Sequence, residues 1–332
     1  MTVSGGYRVL IVGCGELGSR HLQAVASLTM IKEIEIVDVR PEALKFGQDR
    51  LSQISDVNHS IDFRWLSSLE EAKKNGDLCI IATRAEGRYK ILQRLVNELG
   101  YSSVLLEKIV AQSVDELEQI ATFSTNLGLS LWVNCQSRAW PAYRQVKKQL
   151  EPGEPLIFNA AGGNLFLATN GIHAADLFAY YDGCTNINGD GSVFDQVLHP
   201  SKRGEGLYDL SGTLLGQTEN GSSVTISYIA SPTLWGHTSI ASSRYRRIVD
   251  HLQGWAFEAS SHAGWEWQQV PFVGDVYVSQ STKEHAKNIL TTGKCELPTL
   301  DESLVSHRFI LGELQPQFSK LLGLQLDRCP VT

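Results

Sequence analysis

The chain has 332 residues, of which 42% are hydrophobic and 20% charged, and its formal net charge is -7. This length exceeds one ordinary hydrophobic core and fits two domains, and the composition is that of a globular rather than a disordered protein. The acidic balance argues against binding to nucleic acids or anionic membranes, because both require basic patches.

The sequence carries no signal for a membrane span, for export or for a metal site. No run of about 18 apolar residues is present, and the first residues lack the basic start and apolar stretch of a signal peptide. The six cysteines are scattered without a CxxC pair, and the histidines show no metal-ligand spacing. We therefore expect a cytoplasmic protein without a bound metal, a membrane contact or a nucleic-acid partner.

The first part of the chain alternates short apolar runs with helical periodicity. Strand-like runs cover residues 7–13, 31–39, 61–66, 77–83, 102–108 and 129–135. Helical patterns follow the first five at residues 16–28, from 41 onward, 67–76, 87–100 and 113–128. Strands separated by such helices form right-handed βαβ units, so the sequence predicts a Rossmann domain with a doubly wound parallel sheet over residues 1–137.

The pattern changes near Arg138, where strands begin to follow one another directly. A helix is predicted at 139–150, the segment TENGSS (218–223) marks a hairpin, and a second helix is predicted at 171–181. A final amphipathic helix covers about residues 304–322. The sequence therefore predicts an α+β domain over residues 138–332 with a large, mostly antiparallel open sheet, which makes the whole chain an α/β protein.

Three glycines stand between the first strand and the first helix, in the segment VGCGELG. Gly13 permits a tight turn, Gly15 lets the backbone approach a pyrophosphate, and Gly18 lets the helix pack closely on the sheet. The phosphates would then bind at the helix N-terminus, beside Glu16 and Leu17. We predict a dinucleotide site here; a purely structural glycine turn is the alternative.

Two charged residues after the second strand bear on the choice of cofactor. Asp38 is placed to accept hydrogen bonds from the adenosine ribose hydroxyls and to repel a 2′-phosphate, which favours NAD over NADP. Arg40 lies nearby and could pair with a 2′-phosphate, so NADP stays open. Thr83, at the end of the fourth strand, is a further cofactor-binding candidate.

The segment VLLEKIV ends the fifth strand with an acid–base pair, Glu107 and Lys108. They lie at the carboxyl edge of the sheet, where open α/β sheets bind ligands. Lys108 is therefore a candidate contact for the substrate or the nicotinamide, and Glu107 a candidate to orient Lys108 and to contact the cofactor. A solvated charge pair at a strand end is the alternative.

The segment ATNGIHAADL carries His173 and Asp176 one helical turn apart, so both side chains can share a helix face. An imidazole with a pKa near its unperturbed value is suited to take a proton from an alcohol as hydride leaves. His173 is therefore a candidate acid/base, and a structural histidine is the alternative.

Taken together, these segments resemble the glucose–fructose oxidoreductase and inositol dehydrogenase family (Gfo/Idh/MocA), and the resemblance covers nearly the whole chain. GCGELGSRHLQAV is similar to its opening GxGxxGxxH stretch, and VLLEK to its VxxEKP motif. NCQSRAWPAY, which contains Arg138, is similar to its strand-to-helix crossover, and GIHAADL to its GxHxxDL motif. His21, the histidine of the first motif, is expected near the phosphates.

The resemblance implies a nicotinamide-dependent oxidoreductase that moves a hydride between the nicotinamide and a carbinol carbon of a sugar, sugar acid, sugar nucleotide or cyclitol. Lys108 would hold the reacting oxygen, His173 would be the acid/base, and Asp176 would orient His173 or bind a hydroxyl. A homodimer or homotetramer through the C-terminal sheet is expected. The implied substrate-binding residues are Lys108, Arg138, Thr169, Asn170, His173 and Asp176.

The chain departs from the family pattern at several positions. Ile109 replaces the proline after the Glu-Lys pair, and Thr169 replaces an Asp of the inositol dehydrogenase branch. The loop TRAEGR places Arg84 and Arg88 either against an anionic substrate or in solvent at a helix start. Two other functions stay open: a redox-neutral sugar enzyme that uses NAD for elimination or epimerisation, and a non-catalytic dinucleotide sensor.

Overall fold

The computed structural model describes residues 6–163, 166–231, 233–234, 236–272 and 278–331. The chain divides into two units, and the first combines Met1–Ala111, Gln119–Asn134 and Val276–Leu300. The second combines Gln112–Glu118, Cys135–Asp275 and Asp301–Thr332. The predicted single boundary after residue 137 differs from this division. Residues 112–118 and 135–137 belong to the second unit, and residues 276–300 belong to the first.

The first unit contains a six-stranded sheet in which all neighbouring strands are parallel. The strand order is β3-β2-β1-β4-β5-β6, so the order reverses between β1 and β4. This arrangement confirms the predicted doubly wound sheet. The strands are β1 (Tyr7–Val12), β2 (Ile31–Val37), β3 (Asp62–Leu66), β4 (Leu78–Ile81), β5 (Ser103–Leu106) and β6 (Ser130–Val133); the connecting helices are α1 (Glu16–Ala26), α2 (Pro41–Leu51), α3 (Arg88–Asn97) and α4 (Val114–Leu127).

The register of this sheet aligns the carboxyl ends of its central strands. Val12 lies beside both Val37 and Ile81, Ile81 beside Leu106, and Leu106 beside Val133. These pairs are the last residues of their strands, so the residues that follow them stand side by side along one edge. This carboxyl edge is where an open α/β sheet binds its ligands.

The second unit contains an eight-stranded sheet with the order β16-β15-β14-β13-β7-β12-β11-β8 and a two-stranded sheet of β9 and β10. Only β7 and β12 pair in parallel; the other pairs are antiparallel, which confirms a mostly antiparallel sheet. The elements are α5 (Pro141–Lys147), β7 (Ile157–Gly163), α6 (Leu167–Asp182), β8 (Asn188–Phe194), β9 (His199–Pro200), β10 (Tyr208–Asp209), β11 (Gly212–Gln217), β12 (Ser223–Ile229), β13 (His237–Ala241), β14 (Tyr245–Asp250), β15 (Trp255–Ser260) and β16 (Gln268–Pro271).

The two faces of the large sheet differ because successive side chains of a strand point to opposite sides. Phe158 and Ile226 are buried on the face that α6 covers through its packing on β12. On the other face Ile157, Ile229 and Ile248 are 54%, 44% and 42% exposed. Within this unit the second face is therefore open.

Two long helices end the chain, α7 (Val278–Thr292) and α8 (Leu300–Leu322). The predicted C-terminal helix corresponds to α8. Helix α7, which packs against α1 in the first unit, was not predicted from the sequence. None of the helices that the structure describes is long and apolar enough to cross a membrane.

Candidate active site

The glycine turn after β1 has the geometry that the sequence predicts. Gly13 has φ of +91°, and a Cβ there would lie 2.9 Å from the Thr83 amide nitrogen. A Cβ at Gly18 would lie 1.8 Å from the Gly13 carbonyl oxygen, so only glycine allows α1 this close to the turn. At Gly15, the N-cap of α1, an added Cβ would meet only the Arg40 guanidinium, at 3.7 Å.

Asp38 connects the end of β2 to the glycine turn. Its Oδ2 accepts a hydrogen bond of 2.8 Å from the Cys14 amide, and its Oδ1 accepts one of 3.0 Å from the Arg40 amide. The Arg40 guanidinium pairs with the same carboxylate at 3.3 Å while its side chain stays 55% exposed. The carboxylate and the guanidinium thus stand together beside Gly15.

The carboxyl edge of the sheet around α1 fits a dinucleotide. Gly15 leaves open the space in front of the α1 N-terminus, where backbone amides bind phosphate. The Oγ1 atom of Thr83 is buried and has no hydrogen-bond partner among the described residues. Two further predicted cofactor contacts, Glu16 and Leu17, are the first residues of α1. Leu17 is half-buried, and the exposed carboxylate of Glu16 pairs with Arg50 of α2.

Lys108 is the second residue after β5, at the same edge of the sheet, and its side chain is half-buried. The next residue, Ile109, is 1% exposed, and the peptide bond that joins it to Lys108 is cis. The alternative of a fully solvated charge pair therefore does not describe this strand end, because Glu107 is also buried, at 4% exposure.

Glu107 belongs to a buried hydrogen-bond cluster within the first unit. Its Oε1 lies 2.8 Å from Nε2 of His21 and accepts a hydrogen bond of 2.6 Å from the side-chain amide, Nδ2, of Asn134. The other ring nitrogen of His21 lies 2.9 Å from the Thr282 hydroxyl of α7. His21 is fully buried, with both ring nitrogens in contact with side chains of the first unit. Both contacts of Glu107 are made by Oε1, and its predicted contact with the cofactor stays a prediction.

The charge of Glu107 is stabilised by its neighbours. Burial alone would raise the pKa of this carboxyl, but the hydrogen bond and charge of His21, the amide of Asn134 and the charge of Lys108 lower the pKa from 4.5 to about 2. The carboxylate is therefore ionised at neutral pH. Glu107 and Lys108 are consecutive residues, and the charge of Lys108 helps to keep Glu107 ionised.

We expect Glu107 to stabilise the fold in a pH-dependent way. Its pKa is depressed in the folded chain, so its contribution is fully present above about pH 4.5 and is lost as the pH falls toward 2. A difference between 4.5 and about 2 corresponds to roughly 3 kcal/mol of unfolding free energy. Urea denaturation at several pH values should show that Glu107→Gln loses this pH dependence. The exposed control Glu42→Gln should keep it, and equal pH profiles for Glu107→Gln and the unaltered protein would contradict the assignment.

Arg84 and Arg88 separate in the structure. Arg84 is exposed, whereas Arg88 at the start of α3 is 2% exposed. Its guanidinium donates to the main-chain carbonyls of Thr83, Glu107, Ile109 and Val110. The expectation that Arg88 lies in solvent or against an anionic substrate is therefore wrong.

The first two turns of α6 carry three of the predicted residues, Thr169, Asn170 and His173, and each side chain is half-buried. Residues three and four positions apart share a helix face, so Thr169 and Asn170 stand beside His173. The carboxylate of Asp209, from β10, accepts hydrogen bonds from the Thr169 amide and hydroxyl and from the Ala168 amide. Asp209 thereby caps α6 and holds the Thr169 side chain.

Arg138 and Asp176 form a buried ion pair within the second unit. Nε of Arg138 lies 2.9 Å from Oδ2 of Asp176, and Nη2 lies 3.0 Å from Oδ1. Their side chains are 5% and 0% exposed. Burial raises the pKa of Asp176, and the charge of Arg138 opposes it, with a result of about 6. Both Asp176 oxygens thus bind Arg138, so we no longer expect Asp176 to orient His173 or bind a hydroxyl, or Arg138 to bind substrate.

Two residues that build this region were not predicted as site residues. Asn134 is the first residue after β6, and its signals in the sequence are a polar side chain at the end of an apolar strand and its place in the segment NCQSRAWPAY. Asp209 comes from a two-residue strand distant in sequence from the helix it caps. Within the described residues, no group of three or more His, Cys, Asp or Glu side chains is arranged to hold a metal ion.

Solved structures with the same fold carry several functions. An oxidoreductase from Agrobacterium radiobacter, solved with NAD+, L-tartaric acid and magnesium, is 16% identical with a TM-score of 0.72, over 92% of this chain and 94% of that chain. KijD10, a 3-ketoreductase from Actinomadura kijaniata solved with TDP-benzene and NADP, is 16% identical with a TM-score of 0.68, over 92% and 96%. The transcriptional regulator Gal80p from Kluyveromyces lactis is 14% identical with a TM-score of 0.68, over 93% and 92%.

One of two sequence comparisons agrees with this fold, over residues 7–135. No curated protein sequence matches the chain. The family model of oxidoreductases with an NAD-binding Rossmann fold, Gfo/Idh/MocA, matches residues 7–135. That segment contains the glycine turn, Asp38, Thr83 and Lys108. Residues 7–135 are therefore similar to the NAD-binding part of the Gfo/Idh/MocA oxidoreductase family.

Proposed function

We propose that the protein transfers a hydride between a nicotinamide cofactor and a carbinol carbon of a sugar, sugar acid, sugar nucleotide or cyclitol. The observation that carries the proposal is the position of Lys108, half-buried after β5 at the carboxyl edge that also bears the glycine turn and Asp38. This edge is where such sheets bind ligands. An ammonium group held there is suited to hold the oxygen of a reacting alcohol or ketone.

The first unit supplies the groups that would hold the dinucleotide. The amides at the N-terminus of α1 would bind the pyrophosphate, with Gly15 leaving room for its approach. Asp38 would accept hydrogen bonds from the adenosine ribose, and the buried Thr83 hydroxyl offers a further polar contact. When bound, the nicotinamide supplies or accepts the hydride.

Side chains of the protein would transfer the hydroxyl proton and stabilise the charge on the reacting oxygen. Lys108 would stabilise the negative charge that develops on the reacting oxygen, because a fixed cation needs little reorganisation when the charge forms. His173 would take the hydroxyl proton in the direction of oxidation and return it in the direction of reduction. Thr169 and Asn170, on the same helix face, would bind neighbouring hydroxyls of the substrate.

We propose that NAD is preferred over NADP. The Asp38 carboxylate stands where the adenosine ribose would bind and would repel a 2′-phosphate. Arg40, the one candidate to neutralise that phosphate in the sequence analysis, already pairs with Asp38 at 3.3 Å. Binding of NADP would therefore require breaking this ion pair, whereas NAD leaves it in place.

A substrate screen tests the proposal directly. Sugars, sugar acids, sugar nucleotides and cyclitols are incubated with the protein and NAD+ or NADP+, and their ketones with the reduced cofactors, while nicotinamide absorbance is followed. We expect turnover in at least one class, faster with NAD than with NADP. Product formation without a change in absorbance would instead indicate the redox-neutral chemistry.

A second candidate function is a dinucleotide-responsive regulator, which the likeness to the regulator Gal80p favours. It predicts that the protein binds NAD+ or NADH tightly and turns over no substrate of any class tested. It also predicts that Lys108→Ala leaves every measurable property other than cofactor affinity unchanged. Turnover in the screen would exclude it.

We propose that two copies of the chain pair through the open face of the large sheet. Three isoleucines on this face, Ile157, Ile229 and Ile248, are between 42% and 54% exposed in the single chain. Pairing of copies would remove this apolar surface from water. Sedimentation of the purified protein should therefore show a dimer or a tetramer, and a monomer at micromolar concentration would contradict the assignment.

We also propose that the protein works in a reducing compartment, the cytoplasm. Five thiols, those of Cys14, Cys79, Cys135, Cys184 and Cys329, are buried. Cysteines used in this way act as small hydrophobic residues rather than as disulfide partners. Chains without a disulfide framework are typical of reducing compartments.

A further inference from the structure

The buried guanidinium of Arg88 contacts the main chain on both sides of Lys108. Its Nη1 lies 2.6 Å from the carbonyl oxygen of Glu107 and 2.5 Å from that of Ile109. The same nitrogen lies 3.2 Å from the carbonyl oxygen of Val110, and Nη2 donates to the carbonyl of Thr83 at the end of β4. One side chain thus joins two strand ends and surrounds the residue that we propose to hold the reacting oxygen.

These carbonyl oxygens would repel one another without a shared donor. Three of them converge on a single nitrogen, and each carries partial negative charge in a region with little access to water. Arginine suits such a position because its charge is permanent and its donors are spread over a rigid fork. The path of the chain through Lys108 therefore depends on the Arg88 side chain.

Because residue 109 is an isoleucine, the hydrogen bonds from Arg88 to the main chain around Lys108 become more important. The Gfo/Idh/MocA family, which this segment resembles, has a proline at this position in its VxxEKP motif, and a proline ring fixes φ of its own residue. Ile109 has no ring, so the backbone after Lys108 loses that restraint. The hydrogen bond from Arg88 to the Ile109 carbonyl restrains the same residue from outside.

We propose that Arg88 is a positioning residue that fixes Lys108 against the reacting oxygen. It acts through the main chain and touches neither substrate nor cofactor. The proposal rests on the function proposed above, in which Lys108 holds that oxygen. It differs from a general structural role because the loss of Arg88 should affect turnover only through Lys108.

The first test compares turnover of Arg88→Met and Arg88→Lys. A displacement of a catalytic group by about 1 Å costs on the order of 100-fold in rate, so we expect kcat of Arg88→Met to fall about 100-fold. Affinity for NAD+ should change little, because the glycine turn and Asp38 are untouched and Arg88 binds only the main-chain carbonyl of Thr83, not its hydroxyl. Arg88→Lys keeps a cation with several donors and should recover about tenfold of this loss.

Two arginines provide matched controls. Arg84 lies in the same loop but is exposed, so Arg84→Met should leave kcat unchanged. Arg8 donates from its guanidinium to the carbonyls of Lys74 and Asn75, at 2.7 Å and 2.5 Å, at the opposite edge of the same sheet. Arg8→Met therefore removes a similar clamp and lowers stability, yet kcat should stay within about twofold of the unaltered protein.

A double-mutant cycle separates positioning from a merely structural role. In the Lys108→Ala background, Arg88→Met should cause no further loss of kcat, because the group that it positions is already gone. A further loss of about 100-fold in that background would overturn the proposal. So would an unchanged kcat in Arg88→Met when Lys108→Ala alone abolishes turnover. Full turnover in Lys108→Ala would instead contradict the proposed function.

A second measurement needs no substrate. Trinitrobenzenesulfonate modifies lysine amines, and mass spectrometry gives the rate of modification at Lys108. Release of the segment in Arg88→Met should accelerate modification at Lys108 about tenfold, and Arg8→Met should not change it. An equal rate in Arg88→Met and the unaltered protein would overturn the proposal, whatever the outcome for the function.

Discussion

Replacing His173 or Lys108 by alanine is expected to leave dinucleotide binding intact while turnover falls by about 1000-fold in each variant. General acid–base catalysis by a positioned side chain contributes roughly 100- to 10,000-fold, and the loss of one charge-stabilising group costs roughly 100- to 1000-fold. In the proposed function the glycine turn and Asp38 of the first unit hold the dinucleotide, and neither substitution alters these residues. Steady-state kinetics and NAD+ titration by calorimetry measure the two quantities separately.

Two exposed residues provide controls for this experiment. Lys90 lies on α3 and His237 on β13, and both side chains are exposed. Lys90→Ala and His237→Ala remove the same chemical groups away from the proposed site and should keep full turnover. Full turnover in either Lys108→Ala or His173→Ala would show that the residue has no catalytic role.

The second large effect concerns stability. Asp176→Ala leaves the Arg138 guanidinium 5% exposed without the carboxylate that binds it through two hydrogen bonds. Removing one partner of a buried ion pair costs about 3–5 kcal/mol, because an uncompensated charge stays buried. We therefore expect the unfolding free energy to fall by about that amount, measured by urea denaturation with a probe in the second unit.

Glu302 serves as the control for Asp176. Its carboxylate lies 3.7 Å from Nη1 of the same arginine, but its side chain is 56% exposed. An exposed pair contributes about 0–1 kcal/mol, so Glu302→Ala should change little. A combined Arg138→Met and Asp176→Leu variant removes both charges and should recover most of the lost stability. A loss below about 1 kcal/mol in Asp176→Ala would show that Arg138 finds another partner or water.

The sequence was sufficient to predict the parts of this region that are local in the chain. The turn at Gly13, the close approach at Gly18 and the place of Lys108 after β5 each follow from a strand, a turn and a helix in immediate succession. Glycine spacing and the apolar runs of parallel strands are strong signals, because few other backbones accommodate them. The parallel sheet followed from the same signals.

The parts that the sequence could not reveal are contacts between distant segments. Glu107 pairs with His21 and Asn134, and nothing in the local sequence distinguishes this buried carboxylate from an exposed one. Arg84 and Arg88 are four positions apart, and Arg88 begins α3. Arg84 is exposed, whereas the fold buries Arg88. Burial of a charged side chain depends on the partners that the whole fold brings to it.

The placement of α7 has a consequence for how the chain matures on the ribosome. This helix covers α1 and supplies the Thr282 hydroxyl to His21, yet it is synthesised after the strands of the second sheet. The α1 face of the parallel sheet therefore cannot be covered until Thr292, the last residue of α7, has left the ribosome. A fragment that ends at residue 137 would keep the whole glycine turn and still lack the helix that packs on α1.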